Sequence, residues 1–131
     1  MKLNVKCIRD ILIVIESLSN LDDNLMPICI SINDFENNNL TKKYSKNEIV
    51  YTLKKLVEAN FIIANFKRAF GCVYDVEVFE LTYDGHQFLS SVESSKIFNA
   101  VMNKIDELGA GVTIEVLKAL ANKLIKEKLG L

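Results

Sequence analysis

A capped helix that leads directly into two alternating segments is the feature of this sequence that most restricts its fold. Ser45 and Glu48 have the S-x-x-E spacing of a capping box, whose side chains satisfy free amides at a helix start. An apolar face follows at helical spacing, formed by Ile49, Leu53, Leu56 and Val57. This pattern predicts a helix over residues 46–59 whose opposite face carries Asn47, Tyr51, Lys54, Lys55 and Glu58.

Two segments with a period of two follow this helix and predict a β-hairpin. The first is FIIANF, and the second is VYDVEVFEL, in which Asp75 and Glu77 alternate with apolar residues. The connection KRAFGC contains Gly71, which can adopt the positive φ that a hairpin bulge requires. The hairpin therefore begins immediately after the predicted helix.

Helix caps and short apolar runs predict the elements on either side of this unit. Asn4 caps a first helix that ends near Asn20, and Thr82 caps a helix after the hairpin. The run ICISI is short and β-branched, which predicts a strand. The spacing of Asn33 and Glu36 predicts a short second helix around residues 34–40.

The order of these elements is that of a winged helix-turn-helix domain. In such a domain the third helix can enter the DNA major groove, and the hairpin, or wing, contacts the backbone or the minor groove. We therefore expect an α+β, predominantly α-helical fold: a winged helix-turn-helix over residues 1–93 with a two- or three-stranded sheet, and two appended C-terminal helices within 94–131. A compact unit of 131 residues buries enough surface to need neither a disulfide framework nor a structural metal.

The formal net charge of −1 conceals an uneven distribution of charge along the chain. Residues 41–70 have a net charge of +5, whereas residues 1–40 have −3 and residues 71–95 have −5. Five basic residues of the positive segment lie in or just before the third helix, namely Lys42, Lys43, Lys46, Lys54 and Lys55. The other two, Lys67 and Arg68, lie at the start of the hairpin connection.

Double-stranded DNA is the partner that this charge distribution favours. Lysine and arginine neutralise phosphates and supply most non-specific affinity, while Asn47 and Tyr51 can hydrogen-bond to base edges or phosphates. The candidate DNA-binding residues are Asn47, Tyr51, Lys54, Lys55, Lys67 and Arg68. Two observations oppose this hypothesis: the pI is about 5.9, and Asp75 and Glu77 are placed to pair with Lys67 or Arg68.

Three blocks of the sequence carry a resemblance to known proteins: MKLNVKCIRDIL, YSKNEIVYTLKKLVEANFI and LTYDGHQFL. Together they resemble a family of small uncharacterised proteins of bacteria, their phages and their prophages. The second and third blocks are also similar to winged-helix regulators in general. The resemblance implies a winged-helix-like fold and identifies no functional residue. Such relatives commonly have glycine where this chain has Asn60, a residue that also tolerates the left-handed conformation.

Catalytic, metal-binding and cofactor-dependent functions have little support in the sequence. The single histidine, His86, has neighbouring acids in Asp84 and Glu80 but no nucleophile or phosphate-binding loop to act with, so we expect local hydrogen bonding. The three cysteines form no C-x-x-C motif, and we expect them to be small buried residues. We therefore predict a non-enzymatic protein with no cofactor and no metal.

Two apolar stripes, separated by GAG, predict C-terminal helices over residues 95–108 and 112–129. Their apolar faces need a cover, which is either the first helix of the same chain or a second subunit in a homodimer. The apolar segments are too short to span a bilayer and the start has no signal-peptide core, so we expect a cytoplasmic protein. The function most favoured is a DNA-binding regulator of phage type; the alternative is a protein-interaction module, such as an accessory or anti-defence protein, that binds a host protein.

Overall fold

A computed structural model describes residues 1–108 and 112–130 of the chain. Over these residues the fold is α+β and mainly helical, with six helices and one two-stranded antiparallel sheet. The elements are α1 (Val5–Leu18), α2 (Ile32–Asn37), α3 (Lys46–Glu58), β1 (Ile62–Ala69), β2 (Cys72–Leu81), α4 (Tyr83–Val92), α5 (Ser95–Leu108) and α6 (Ile114–Leu129). The predicted GAG break between α5 and α6 lies outside the described residues.

Three predicted helix starts are confirmed at the level of their caps. The side chains of Asn4, Ser45 and Thr82 each accept a hydrogen bond from a backbone N–H in the first turn of their helix. Asn60, which follows α3, has the left-handed φ of 61° that its side chain tolerates. It lets the chain turn directly from α3 into β1.

The predicted strand ICISI is wrong. Only Ile30 pairs with the sheet, through an isolated antiparallel bridge to Val78, because α2 begins two residues later. The cap of α2 is Ser31, which forms a full capping box with Asp34 and replaces the predicted pairing of Asn33 with Glu36. The sheet of the described residues therefore has two strands, and α2 begins earlier than predicted.

Helix α1 is the centre of the core and packs against α3, α4 and β2. Five of its apolar side chains have almost no solvent exposure: Ile8, Ile11, Leu12, Val14 and Ile15. The buried faces of α3, β2 and α4 meet these residues, and the fully buried ring of Phe35 of α2 belongs to the same core. Burial of a valine, leucine or isoleucine side chain contributes about 2 kcal/mol, so the five residues of α1 supply a large share of the apolar stabilisation.

Polar contacts between α1 and the start of α3 fix the position of the latter. Glu48 does not reach back to cap Ser45 as a reciprocal box predicts; its Oε1 instead accepts a hydrogen bond of 2.7 Å from Asn4 Nδ2. Tyr44 Oη donates a hydrogen bond of 2.6 Å to the Oδ2 of Asp10, a carboxylate only 8% exposed, and Lys43 Nζ lies 3.4 Å from the same oxygen. The segment before α3 is therefore held by a buried acid of α1.

The C-terminal helices pack on the rest of the same chain. Helix α6 contacts α4 and α5, and the predicted stripes supply buried residues that include Ile97, Phe98, Val101, Leu117 and Ala121. Arg9 of α1 connects these helices to the core: its guanidinium donates to the backbone oxygens of Val92 and Glu93 at the end of α4 and lies 4.8 Å from the centre of the Phe98 ring. These contacts cover much of both stripes, and the homodimer stays a prediction.

The start of α4 approaches the α3–β1 junction so closely that only glycine fits at one position. A Cβ at Gly85 would overlap the carbonyl oxygen of Phe61, which already accepts a hydrogen bond of 2.9 Å from the backbone N–H of Thr82. The rings of Phe61 and Phe88 stack beside this contact, with their centroids 5.1 Å apart. The hairpin and α4 are thereby locked together at their shared corner.

Replacement of Gly85 by alanine should destabilise the protein, because the backbone of α4 must move away from Phe61. We expect Gly85→Ala to lower the free energy of unfolding by about 2 kcal/mol in urea denaturation followed by circular dichroism. Gln87→Ala, at an exposed position of the same helix, is the control and should change it by less than about 0.5 kcal/mol. Equal stability of Gly85→Ala and the wild type would contradict the close contact.

Tyr44 and Cys7, which form a cluster with Asp10 and Lys43, should make stability fall at alkaline pH. Burial and the hydrogen bond to Asp10 raise the pKa of Tyr44, and burial raises the pKa of Cys7 from 9.0 to about 11. A raised folded-state pKa stabilises the protein below the unfolded-state pKa, and that contribution disappears as the pH rises towards the folded-state value. The free energy of unfolding should therefore decrease between pH 9.0 and about pH 11, the interval between the two Cys7 pKa values.

The variant Tyr44→Phe separates the two contributions of this cluster. At pH 7 it should be less stable than the wild type by about 2 kcal/mol, since it removes a hydrogen bond to a buried carboxylate. Its stability should also decrease less steeply above pH 10.0, the ordinary pKa of tyrosine, because the variant has lost the contribution of Tyr44 and keeps that of Cys7. A parallel pH dependence of the variant and the wild type would show that Tyr44 does not contribute.

Candidate nucleic-acid interface

The outer face of α3 is open to solvent because the inner face is fixed by buried residues. Ile49, Leu53 and Leu56 are fully buried against the core. On the opposite side Asn47 and Lys54 are exposed. This arrangement is the one that the sequence predicts, and it leaves both side chains free to reach a partner.

Tyr51 and Lys55 are less accessible than the sequence predicts, since both are half-buried. Lys55 Nζ lies 2.9 Å from Glu58 Oε2 and 5.5 Å from the centre of the Tyr51 ring. The hydrogen bond and the charge of Glu58 raise the pKa of Lys55. Glu58 therefore offsets part of the positive charge on this side of α3.

The same two residues line a groove beside α3 that the sequence analysis missed. It has a volume of about 1030 Å³ and lies between the N-terminal segment, the second half of α3, the end of α5 and the start of α6. Its apolar lining includes Leu3, Met102 and Ile105. No local pattern could reveal it, because its walls come from both ends of the chain.

Lysines before α3 and at its first residue have different roles in the structure. Lys43 forms the ion pair with Asp10 and so belongs to the cluster that positions α3. Lys42 and Lys46 are exposed, and neither forms an ion pair with any residue that the structure describes. The positive segment thus contributes three free lysines at or near α3: Lys42, Lys46 and Lys54.

Within the described residues, the basic side chains of the hairpin form no ion pair with the acids on the facing strand. The register places Lys67 opposite Asp75, but Asp75 Oδ1 accepts hydrogen bonds from the backbone N–H groups of Ile32, at 3.3 Å, and Val76, at 2.8 Å. Among the described residues neither Lys67 nor Arg68 forms an ion pair, so the expected pairing with Asp75 is wrong. Asp75 instead connects β2 to the start of α2 by a hydrogen bond.

Glu77 is also engaged within the chain. Its carboxylate accepts a hydrogen bond of 3.2 Å from Asn65 Nδ2 and one of 3.5 Å from the thiol of Cys29. These two hydrogen bonds lower the pKa of Glu77, and the nearby charge of Lys67 lowers it further without an ion pair. The expected pairing of Glu77 with Lys67 or Arg68 is therefore wrong as well.

The hairpin ends in a two-residue turn with an exposed aromatic side chain. Ala69 pairs with Cys72, so Phe70 and Gly71 form the turn, with φ values of 52° and 79°. The positive φ predicted for Gly71 is confirmed, although the register shifts lie elsewhere, between Ile63 and Ala64 and between Lys67 and Arg68. The side chain of Phe70 is fully exposed, which no pattern in the sequence indicates.

The remaining polar candidates are His86 and the three cysteines. The Nδ1 of His86 lies 3.6 Å from Glu16 Oε2 of α1, an acid that is distant from it in the sequence, unlike its neighbours Asp84 and Glu80. Cys7 is buried as predicted, but Cys29 and Cys72 are exposed, so the prediction is wrong for these two. Within residues 1–108 and 112–130 no group of three or more His, Cys, Asp or Glu side chains could hold a metal ion.

Comparisons with known proteins identify the family of this chain and indicate no activity. No helix in the described part of the chain has the length and apolar character required to cross a membrane. No curated protein and no solved structure matches the sequence. One family model, described as "Hypothetical protein (DUF2513)", matches residues 2–112, which is most of the chain. The protein therefore belongs to this family of hypothetical proteins.

Proposed function

We propose that this protein is a non-enzymatic winged-helix regulator of phage or prophage type that binds double-stranded DNA in the cytoplasm. The order α1, α2, α3, hairpin and α4 supports the winged-helix assignment, with α3 as the recognition helix and β1–β2 as the wing. The bridge between Ile30 and Val78 occupies the place of the third strand. Three free cysteines suit a reducing compartment.

One feature of the structure departs from the simplest helix-turn-helix. Residues 38–45 connect α2 to α3, whereas the connection in that motif has roughly three or four residues. Buried Thr41 stabilises this connection by donating a hydrogen bond to the backbone oxygen of Phe35, and Tyr44 anchors its end on Asp10. The longer connection is thus ordered by its own contacts and can still hold α3 in a fixed orientation.

The observation that carries the proposal is the distribution of unpaired cations. Lys54 on α3, and Lys67 and Arg68 on the hairpin, form no ion pair within the described residues, whereas nearby acids are bound to groups of the chain itself. Such cations gain affinity by releasing counterions from DNA phosphates. Asn47, which is exposed in the first turn of α3, can make paired hydrogen bonds to an adenine edge.

A salt titration of duplex binding tests this proposal. Binding should weaken steeply as the salt concentration rises from about 50 mM to 200 mM. Lys54→Glu should reduce affinity about tenfold and lower the slope of log affinity against log salt by about one or more. Lys55→Glu should have a smaller effect, because Glu58 already offsets the charge of Lys55.

The matched control is Lys96→Glu, which changes an exposed lysine at the start of α5 by the same amount of charge. It should alter affinity much less than Lys54→Glu does, while both variants keep the wild-type circular dichroism spectrum. If Lys54→Glu and Lys96→Glu lost the same amount of affinity, the loss would result from the change in net charge alone. That result would overturn the role of α3. Affinity that is absent at about 50 mM salt, or indifferent to salt, would overturn DNA binding itself.

A protein-interaction module is the second candidate, and one surface of the structure favours it. The loop between α1 and α2 exposes four large apolar side chains, Leu21, Leu25, Met26 and Ile28, at 47–75% of their full area. Exposed apolar groups that lie close together are common at protein interfaces. Recovery of a stoichiometric host protein without nucleic acid, and its loss in Leu25→Asn, would support this candidate over DNA binding. The homodimer through α5 and α6 is compatible with either function.

A further inference from the structure

Phe70 is unusual in both its backbone conformation and its exposure. Its φ of 52° lies in the left-handed region, which glycine and asparagine adopt far more readily than an aromatic residue. Its relative exposure is 104%, so the ring makes no packing contact that could compensate for the backbone strain. Neither the turn nor the core therefore explains why phenylalanine occupies this position.

Along the chain, the charged residues nearest to Phe70 are positive. From Phe66 to Tyr74 the chain carries Lys67 and Arg68 and no acidic side chain. The first acid after this stretch is Asp75, whose carboxylate is bound to backbone N–H groups at the start of α2 and in β2. The hairpin tip is consequently a protruding aromatic ring with two cations next to it. Lys67 faces Asp75 across the hairpin, and a second exposed aromatic side chain, Tyr74, lies four residues after Phe70.

We propose that Phe70 is a minor-groove wedge that inserts between two base pairs of bound DNA, while Lys67 and Arg68 contact the flanking phosphates. This inference rests on the proposed function and adds to it a specific consequence, the bending of the DNA. Apolar side chains inserted from the minor groove unstack one base step and kink the duplex by about 20–90°. Pyrimidine–purine steps such as TA are unstacked most easily, so the protein prefers sites that contain them.

The shape of the tip favours DNA over a protein or a membrane as its partner. A two-residue turn is narrow enough to enter a minor groove about 6 Å wide. A specific protein interface usually buries at least about 1000 Å², which one ring on a thin hairpin does not supply. A membrane-binding surface usually needs a broad apolar face, such as one side of an amphipathic helix.

Phe70→Asn is the informative variant, because asparagine suits the positive φ and should preserve or increase the thermal stability of the fold. The probe is a short duplex with one central TA step, labelled at its ends for energy transfer and carrying 2-aminopurine in place of the adenine at that step. We expect the wild type to shorten the end-to-end distance and raise the 2-aminopurine fluorescence. Phe70→Asn should abolish both signals and bind about tenfold more weakly.

Two comparisons isolate the ring from the charges. The salt dependence of binding should be the same for Phe70→Asn and the wild type, because Lys67 and Arg68 remain. Leu25→Asn changes another exposed apolar residue with a positive φ, 64°, in the loop between α1 and α2. This control should bend the duplex as the wild type does, and Phe70→Trp should retain the bend.

The outcomes distinguish failure of the wedge from failure of the proposed function. Salt-dependent binding to an unbent duplex, with equal affinity for the wild type and Phe70→Asn, overturns the wedge and leaves DNA binding in place. Absence of duplex binding by the wild type overturns both. Binding to vesicles with anionic lipids, or to a host protein, that is lost in Phe70→Asn while DNA bending persists assigns the ring to that partner and also overturns the wedge.

Discussion

The buried helix α1 is the constraint on which the rest of the structure depends, because its polar side chains must be satisfied from other elements. Asp10 is buried and accepts a hydrogen bond from Tyr44, and Asn4 donates one to Glu48. These two hydrogen bonds orient α3 relative to α1. Arg9, one residue from Asp10, satisfies backbone oxygens at the end of α4 instead. One helix therefore fixes the outer face of α3 and the C-terminal helices relative to a common core.

Much of the fold could be predicted from the sequence, because caps and apolar spacing are local signals. The caps at Asn4, Ser45 and Thr82 are confirmed because each uses a side chain and an amide of the same turn. The run ICISI could not be assigned in this way. Its β-branched residues favour a strand, but the capping box of Ser31 and Asp34 starts a helix inside it and leaves a single bridge to β2.

The candidate site was predictable only in part, because whether a charged side chain forms an ion pair depends on residues that are distant in the sequence. The helical wheel places Lys54 and Lys55 on one face, and the pairing of Lys55 with Glu58 three residues later could have been read from the sequence. The pairing of Lys43 with Asp10 could not, because the two residues lie on different elements. The strand alternation of Asp75 and Glu77 also gave no indication that both acids are bound within the chain.

The acidic pI is a poor guide to the surface that a partner would meet. Asp10, Glu48, Asp75 and Glu77 are acids of the chain whose carboxylates accept hydrogen bonds from its own groups, whereas Lys54, Lys67 and Arg68 have no such partner in the described residues. At physiological salt the potential of an exposed charge decays over about 8 Å, so distant acids do little to neutralise these cations. Asp75 and Glu77 stay charged near Lys67 and offset part of its charge. A formal net charge of −1 therefore does not exclude a locally positive surface.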